Sequence, residues 1–356
     1  MIRAYESEAI RAAEEPLLAA TPPDELMKQA AFAVATTVLR ELAGRGERRS
    51  GSTALLLVGG GNNGGDALYA GATLARRGLQ VTAALLTDRP HPRALAAARA
   101  AGVRTETVLE AGPLLAEVAD RAGVWVDGLT GIGARGGLRE PLAGVVAALE
   151  QRRAAMAAEP LVVAVDVPSG IGVDDGTVAG PVLRADVTVT MGAAKPGLLA
   201  GPAARLAGRV EVIDLGLRLG EAALRRLTPA DAADVLVPPV PEDHKYTRGV
   251  LGLVAGSATY PGAAVLAVAG ALGTGLGMVR YLGPEPVTHL VHARFPEVVP
   301  AAGRVQAWAV GSGVDPDDQD RTAQVRQTLA RAADDGVPAV VDAGGLGLLP
   351  ERSPEN

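Results

Sequence analysis

The sequence predicts an α/β protein in which a doubly wound, mostly parallel sheet is followed by a second, partial α/β domain. Short apolar runs and amphipathic helical patterns alternate along residues 53–215, as they do in βαβ units. The apolar runs are β-branched and nearly continuous, which favours strands that are covered on both faces. A proline-rich stretch, residues 238–243, precedes a second alternation that begins at Gly249.

The first predicted helix begins after Thr21, because a capping threonine, two prolines and an acidic pair suit the start of a helix. Apolar residues then recur at helical spacing from Leu26 to Leu42, and glycines end the pattern. The elements that follow are predicted, in chain order, as strand 53–58, helix 67–77, strand 80–86, helix 92–101, strand 103–108, helix 113–121, strand 124–129, helix 141–152, and strands 161–167, 186–191 and 209–215.

The composition excludes several classes of protein. The 356 residues carry 34 basic and 40 acidic side chains without a basic stripe, so we expect no nucleic-acid partner. The absence of cysteine excludes disulfides, thiolate nucleophiles and cysteine-bound zinc, and it is compatible with the cytoplasmic location that we expect. Residues 1–16 are charged and lack the apolar core of a secretory signal.

One stretch is long enough to cross a membrane, because residues 249–279 contain no charged side chain. Tyr260, Pro261 and Gly262 interrupt it, and several glycines follow. We therefore predict a strand, a turn and a short helix inside a soluble domain, with no membrane partner.

A glycine-rich segment, residues 59–66, follows the first strand of the alternation. Its glycines fit the G-x-G-x-x-G pattern of dinucleotide-binding folds, and Asp88 lies near the end of the next strand, where a ribose-binding acid would be expected. Asp66, however, adds a negative charge where a pyrophosphate would bind, and Asn62 and Asn63 offer side-chain carbonyls that a phosphate does not need. The alternative to a ligand-binding loop is a tight turn, in which glycine and asparagine are favoured because they tolerate positive φ.

Polar side chains also follow two later strands. Because the carboxyl ends of parallel strands meet at one edge of a sheet, we expect these groups to share one crevice. Carboxylate, amide and hydroxyl oxygens suit an alkali or alkaline-earth cation better than zinc, and crowded carboxylates without a cation would raise one pKa. For each acid alone, a solvated strand end stays open as the alternative. The converging set is Asn62, Asn63, Asp66, Asp127, Asp166 and Ser169.

A second glycine-rich loop, residues 131–137, precedes a predicted helix. Its amides could hold a phosphate with help from Arg135 or Arg139, although a flexible connection would have the same composition. Ser169 is not in a G-x-S-x-G context, and the histidines lack zinc-ligand spacing. His91 is expected at the opposite end of its strand–helix unit, so we predict neither a hydrolase triad nor a transition-metal site.

Five segments of the chain resemble, in order, the NAD(P)H-hydrate epimerases. They are LMKQAAFAVA, GGGNNGGDALYAG, DGLTGIGARGGLREP, AVDVPSGIGVDDG and TMGAAKPGLLAGPAARLAGRVEVIDLGL. The resemblance covers nearly all of residues 1–217. It implies a Rossmann-like, doubly wound three-layer sandwich that interconverts the R and S hydrates of NADH and NADPH, which is a metabolite-repair reaction.

The resemblance also implies roles for particular residues. A potassium ion would lie on Asn63, Asp127 and Ser169. We predict that Asp166 is the acid–base group, because the hydroxyl must leave and return, or the ring must open, and either route moves a proton. The implied substrate contacts are Asn62, Asn63, Gly64, Gly65, Asp66, Gly131, Ile132, Gly133, Ala134, Arg135, Gly136, Gly137 and Asp166.

Residues 244–356 resemble the ADP- or ATP-dependent hydrate dehydratases of ribokinase-like fold, through residues 244–282, FPEVV, AVGSGVDPDD and VVDAGGLGLL. The family's later T-P-H-x-G-E segment and G-x-x-D-x-L-A-G loop, which carries the anion hole and the catalytic aspartate, do not follow. We therefore expect an exposed sheet edge and an inactive dehydratase half. ADP or ATP with Mg²⁺ would serve only a complete domain, and Ala263 and Gly313 would line a vestigial pocket.

The predicted organisation is an epimerase domain over residues 1–217, a linker over 218–243 and an incomplete dehydratase domain over 244–356. The predicted partner is a small molecule, NAD(P)H hydrate, and a homo-oligomer stays open. Two alternatives remain at this point, a non-catalytic dinucleotide-binding scaffold and an NAD(P)-dependent oxidoreductase.

Overall fold

The computed structural model describes residues 1–48, 50–134 and 136–349. The chain divides into two compact units, Met1–Thr228 and Pro229–Asn356. In chain order the first unit contains β1 (Ile2–Ala4), α1 (Ser7–Ala20), α2 (Glu25–Gly44), β2 (Thr53–Val58), α3 (Asn62–Arg76), β3 (Gln80–Leu85), α4 (Pro92–Ala100), β4 (Arg104–Thr107), α5 (Pro113–Arg121), β5 (Val124–Gly128), α6 (Leu142–Ala155), β6 (Leu161–Val165), β7 (Val187–Met191), α7 (Pro196–Leu199), β8 (Arg209–Ile213) and β9 (Leu224–Arg226).

The first unit is built on a seven-stranded sheet with the order β4-β3-β2-β5-β6-β7-β8. Every neighbouring pair in it is parallel, which confirms the predicted doubly wound arrangement. The chain moves outward from β2 to β4 and then returns to place β5 on the other side of β2. The topological switch point therefore lies between β2 and β5, where open α/β sheets bind ligands.

Alternate residues of each buried strand pack on opposite faces of the sheet. Leu56 and Val58 of β2 pack with residues of α2, α3 and α4. Leu55 and Leu57 pack on the other face, with Trp125 and residues of α5 and α6. This alternation follows from the two-residue period of a strand, and it explains why the strand sequences are apolar on both faces.

The amino-terminal segment forms β1 and α1, which the sequence patterns did not predict. β1 pairs antiparallel with β9, a strand at the far end of the same unit. Ile10 of α1 is fully buried in a cluster with Tyr5 and Ala193, and the Tyr5 amide donates to the Ala194 carbonyl at 2.9 Å. Contacts with distant parts of the chain therefore hold this segment in place.

Helix α3 begins at Asn62, five residues before the predicted start at residue 67. Glycine and asparagine are weak helix formers, which is why the sequence favoured a turn here. Gly64 lies so close to the preceding loop that an added Cβ would be 2.1 Å from the Gly59 carbonyl oxygen. Close packing of the helix start against this loop therefore requires glycine at position 64.

Gly64→Ala is expected to lower the free energy of unfolding by about 3 kcal/mol, because the clash is with rigid backbone. Gly44→Ala is the matched control, since Gly44 also lies in a helix and has no atom within 4 Å of an added Cβ. The control should be neutral or slightly stabilising. Urea denaturation of both variants measures the difference, and equal midpoints would contradict the packing argument.

The second unit contains α8 (Pro229–Val235), β10 (Val250–Val254), α9 (Pro261–Gly273), β11 (Met278–Tyr281), α10 (Glu285–Arg294), β12 (Ala307–Val310), α11 (Gln319–Asp334) and β13 (Ala339–Val341). Its strands form a four-stranded parallel sheet with the order β11-β10-β12-β13. β13 forms one edge, and its Val340 is 68% exposed. The α8 helix and β9 lie inside the segment predicted as a linker.

The uncharged stretch of the sequence forms β10, a turn and α9, as predicted. Among the residues that the structure describes, no helix combines the length and apolar character that a membrane span needs.

Candidate active site

A cavity of about 680 Å³ opens at the carboxyl edge of the seven-stranded sheet, over the switch point. Its walls come from α1, α2 and α3 and from the segments that follow β2, β5, β6 and β7. The predicted residues that line it are Asn62, Asn63, Asp66, Gly131, Ile132, Gly133, Ala134 and Asp166. Arg11, Glu14 and Lys195 also line it, and sequence reasoning singled out none of the three.

Some of the predicted substrate contacts do not line this cavity. Gly65 packs against α2, since an added Cβ would be 2.7 Å from the Met27 sulfur. Gly64 packs against the Gly59 backbone at the start of α3. Gly136 and Gly137 lie farther along their loop and outside the lining, and Arg135 falls outside the described residues.

A hydrogen-bonded network joins the three predicted potassium ligands. The Ser169 hydroxyl donates to Asp127 Oδ1 at 2.6 Å, and its amide donates to Asp127 Oδ2 at 2.7 Å. The Thr130 amide donates to the Ser169 hydroxyl at 3.0 Å, and Asn63 Nδ2 donates to the Thr130 carbonyl at 2.8 Å. The structure thus brings Asn63, Asp127 and Ser169 together, as their positions at three strand ends predicted.

The network has the oxygen-rich character that a hard cation needs. Asn63, Asp127 and Ser169 are all buried, and the buried Thr130 hydroxyl has no hydrogen-bond partner among the residues that the structure describes. Burial raises the pKa of Asp127 from 3.8 to about 6, against the lowering effect of hydrogen bonds from Ser169 and Leu129. Nowhere in the described ranges do three or more His, Cys, Asp or Glu side chains form a possible metal site. One carboxylate with amide and hydroxyl oxygens suits an alkali or alkaline-earth cation better than a transition metal.

Asp166 follows β6 with a left-handed backbone, φ 66°, a region that asparagine and aspartate tolerate better than most residues. Its Oδ2 accepts from the Ile132 amide at 3.0 Å. Its Oδ1 accepts from the Thr190 hydroxyl at 3.2 Å, the Met191 amide at 3.3 Å and the Lys195 ammonium. Four donors therefore converge on a carboxylate at the floor of the cavity, and Ile132 links it to the second glycine-rich loop.

Lys195 is the buried cation that pairs with Asp166, and its side chain is 1% exposed. Its ammonium also donates to the Thr190 hydroxyl at 2.8 Å and the Met191 carbonyl at 3.0 Å, so all three protons have acceptors. Lysine is scarce in this chain, with only three in 356 residues, and this one lies inside a segment that resembles the epimerases. Those two facts were the signal that could have identified it.

Two further acids face the cavity. Burial raises the pKa of Asp66 well above its usual value, and the nearby charges of Asp166 and Glu14 raise it further. Burial also raises the pKa of Glu14, where Lys195 acts in the opposite direction. The sequence indicated that crowding of carboxylates would raise one pKa, but the larger cause is loss of solvent.

Asp88 and His91 do not lie where the interpretation of the sequence placed them. The Asp88 side chain is 78% exposed and does not line the cavity, so the oxidoreductase interpretation lacks its ribose-binding acid. His91 caps α4, accepting from the Ala94 amide at 3.3 Å, and its Cβ would lie 3.2 Å from a Cβ added at Gly65. It is therefore at the same edge of the sheet as the site, and the expectation of the opposite end was wrong, because the loop after β3 turns back toward α3.

In the second unit, the two predicted pocket residues are neighbours. A Cβ added at Gly313 would be 2.3 Å from the Ala263 Cβ. Beside them, the Ser312 hydroxyl donates to Asp342 Oδ2 at 2.8 Å, so the segments AVGSGVDPDD and VVDAGGLGLL are in contact.

Comparison with protein-family models finds two matches. Residues 23–197 match the model described as YjeF-related protein N-terminus, and residues 251–355 match the model described as NAD(P)H-hydrate dehydratase.

Two curated proteins are similar to this chain over different lengths. A bifunctional NAD(P)H-hydrate repair enzyme Nnr of Mycobacterium tuberculosis is 42% identical over 354 residues, which are 98% of this chain and 69% of that protein. An NAD(P)H-hydrate epimerase of Microbacterium testaceum is 47% identical over 234 residues, covering 66% of this chain and 85% of that protein. The crystal structure of the yeast protein ynu0 superposes with a TM-score of 0.51 at 22% identity, covering 59% of this chain and 87% of that chain, and it supports the fold alone.

Proposed function

This chain belongs to the bifunctional NAD(P)H-hydrate repair enzymes, and from that membership we propose that its first unit epimerises the R and S hydrates of NADH and NADPH. The observation that carries the proposal is the Asp166 carboxylate, held by four donors in a cavity at the switch point of the sheet. Such a pocket, with apolar walls and a few convergent polar groups, suits a small-molecule site.

In the proposed reaction the hydroxyl of the hydrated carbon leaves one face of the ring and returns on the other. The Asp166–Lys195 pair exchanges a proton with that oxygen. The Ile132 amide holds the carboxylate beside the loop of residues 131–134, which supplies backbone groups to the substrate. Asn62, Asn63 and Asp66 line the adjoining wall at the start of α3.

The test is direct. Purified S-hydrate is incubated with the protein, and the R-hydrate is followed by chromatography that separates the epimers. Conversion supports the epimerase, whereas binding without conversion would support the scaffold alternative. Oxidation or reduction of the nicotinamide in the presence of carbonyl substrates would instead favour the oxidoreductase.

We further propose that potassium binds the Asn63–Asp127–Ser169 network. The amide, carboxylate and hydroxyl oxygens of these side chains would hold the ion. The Thr130 hydroxyl, which has no hydrogen-bond partner in the described part of the chain, is a fourth candidate ligand. Bound potassium would supply a fixed positive charge next to the loop that carries Gly131 and Ile132.

At pH 8 the melting temperature is expected to be about 3–5 °C higher in a potassium salt than in a tetramethylammonium salt. A shift of this size corresponds to about 1–2 kcal/mol of stabilisation by the bound ion. The increment should shrink at pH 5, because burial raises the pKa of Asp127 to about 6 and only the ionised carboxylate attracts a cation. The sign follows from linkage. Because the pKa of Asp127 is raised in the folded state, this group stabilises the folded protein at low pH. That stabilisation is lost as the pH rises through about 6, and a bound cation offsets the loss.

The matched variants for this experiment are Asp127→Asn and Asp88→Asn. The first should lose the potassium increment, and the second, at an exposed aspartate, should keep it. The same increment in both variants would remove Asp127 from the proposed site.

For the second unit we propose that residues 241–356 do not dehydrate NAD(P)H hydrate by themselves. The support is the resemblance, in which the anion hole and catalytic aspartate come from segments beyond those that match residues 244–349. No consumption of hydrate is expected with ADP or ATP and Mg²⁺, measured by recovery of NADH absorbance. Nucleotide-dependent recovery of NADH would contradict this.

A further inference from the structure

Helix α1 forms one wall of the cavity, although it precedes the segment that the epimerase-type family model matches, residues 23–197. Arg11, Glu14 and Leu18 line the cavity from this helix. Their spacing places them on one face, whereas Glu15 points away and is exposed.

Contacts on either side of the site hold α1 in position. The Ser7 amide and hydroxyl donate to Asp174, in the segment after β6, at 2.7 and 2.6 Å. Arg11 donates to the Ile132 carbonyl, in the segment after β5, at 2.8 Å. The Ile132 amide donates to Asp166, so Arg11 and Asp166 bind the same residue of the cavity wall, one through its carbonyl and the other through its amide.

We propose that Glu14 is the second proton-transfer group of the epimerase and acts from the α1 wall, while the Asp166–Lys195 pair acts from the wall formed by the ends of β6 and β7. This inference rests on the proposed epimerase function. Glu14 is partly buried, and no hydrogen bond to its carboxylate forms within the described part of the chain, so it is available to a substrate.

Charged side chains near Glu14 act on its carboxyl in both directions. Lys195 and Arg11 favour its ionised form, and Asp166 disfavours it. Asp66 interacts with Glu14 and Asp166 as a like charge. Burial raises the pKa of Glu14 overall, so the carboxyl retains its proton at a higher pH than a surface glutamate would.

The chemistry gives a reason for two groups. When the hydroxyl leaves, the C–O bond breaks with its electron pair on oxygen, an acid supplies a proton to form water, and the ring-nitrogen lone pair forms a C=N⁺ bond. When water returns on the other face, its oxygen bonds to carbon, the C=N⁺ electrons return to nitrogen, and a base takes one proton.

No oxidant or reductant is needed, and the proton that the acid loses equals the proton that the base gains. Because the leaving and returning oxygens lie on opposite faces of the ring, one carboxylate on one wall reaches only one of them. Glu14 and the Asp166–Lys195 pair exchange the roles of acid and base when the reaction runs in reverse.

The test compares Glu14→Gln with Glu15→Gln, the neighbouring glutamate outside the cavity. Glu14→Gln is expected to lower kcat by about 100-fold with KM changed by less than about threefold, and Glu15→Gln should stay near wild type. The wild-type profile of kcat/KM against pH should be bell-shaped, and Glu14→Gln should keep only one limb. Glu14→Asp, which retains a carboxylate, should recover part of kcat.

A fall of less than about tenfold in kcat, or a bell-shaped profile in Glu14→Gln, would overturn the role of Glu14 while wild-type conversion leaves the epimerase intact. Failure of the wild type to convert the S-hydrate would overturn both. If Glu14→Gln does not fold, Glu14→Asp replaces it in the test. The proposal would then be refuted if Glu14→Asp had both the kcat and the pH profile of the wild type.

Discussion

Asp166→Asn is expected to lower the epimerase kcat by about 10²–10⁴-fold, because an amide cannot accept the proton that the reaction moves. Asparagine suits this position sterically, since it tolerates the left-handed φ of 66°. Its oxygen can still accept from Thr190, Met191 and Lys195. Its amino group would face the Ile132 amide, so a smaller loss of stability, about 1–3 kcal/mol, accompanies the loss of activity.

Single-turnover conversion of S-hydrate measures the effect, with a urea melt to show that the variant is folded. Conversion within about threefold of the wild type would remove Asp166 from the proton transfer.

Asp166→Ala is a less suitable variant than the sequence alone suggested. The sequence by itself predicts that Asp166→Ala abolishes conversion of the hydrate and leaves folding intact. That expectation omits Lys195, whose buried ammonium would lose its counter-ion. Removing one member of a buried ion pair costs about 3–5 kcal/mol, so alanine at this position confounds loss of chemistry with loss of fold.

Lys195→Met is expected to lower the free energy of unfolding by about 3–5 kcal/mol, because it leaves the Asp166 carboxylate buried without its cation. Lys28→Met is the matched control, since Lys28 is exposed on α2 and should change stability by less than about 0.5 kcal/mol. Urea denaturation at unchanged m compares the two directly. A loss of less than about 1 kcal/mol at Lys195 would contradict the buried ion pair.

The double variant Asp166→Asn/Lys195→Met separates pairing from simple truncation. If the two groups act as a pair, the double variant should lose less stability than the sum of the single variants, since neither charge then remains buried alone. Additive losses would contradict the pairing.

Much of this architecture could be predicted from local patterns. A strand buried on both faces must be apolar throughout, and a helix between two such strands forces them to be parallel. The predicted strands of the first unit therefore agree with the observed ones to within two residues at each end. Parallel strands also end at one edge, which is why Asn63, Asp127 and Ser169 could be expected to meet before any coordinates were known.

Other features had no local signal. The short β1 strand exists only because β9, at the far end of the first unit, pairs with it. The helical start at Asn62 opposes local propensity and is stabilised by packing against the Gly59 backbone. Local patterns indicate that glycine is needed at position 64, but not whether a ligand or the chain's own backbone lies against it.

By itself, then, the order of residues determined the parallel sheet, the edge at which ligands bind and the oxygen-rich side chains delivered there. Only the tertiary structure decided which charges meet in that crevice, because Lys195, Glu14 and Asp166 come from three distant segments and their proximity depends on how α1 and the segment after β7 pack over the sheet. Hydrophobic periodicity is a property of neighbours in sequence, whereas burial and charge pairing are properties of neighbours in space.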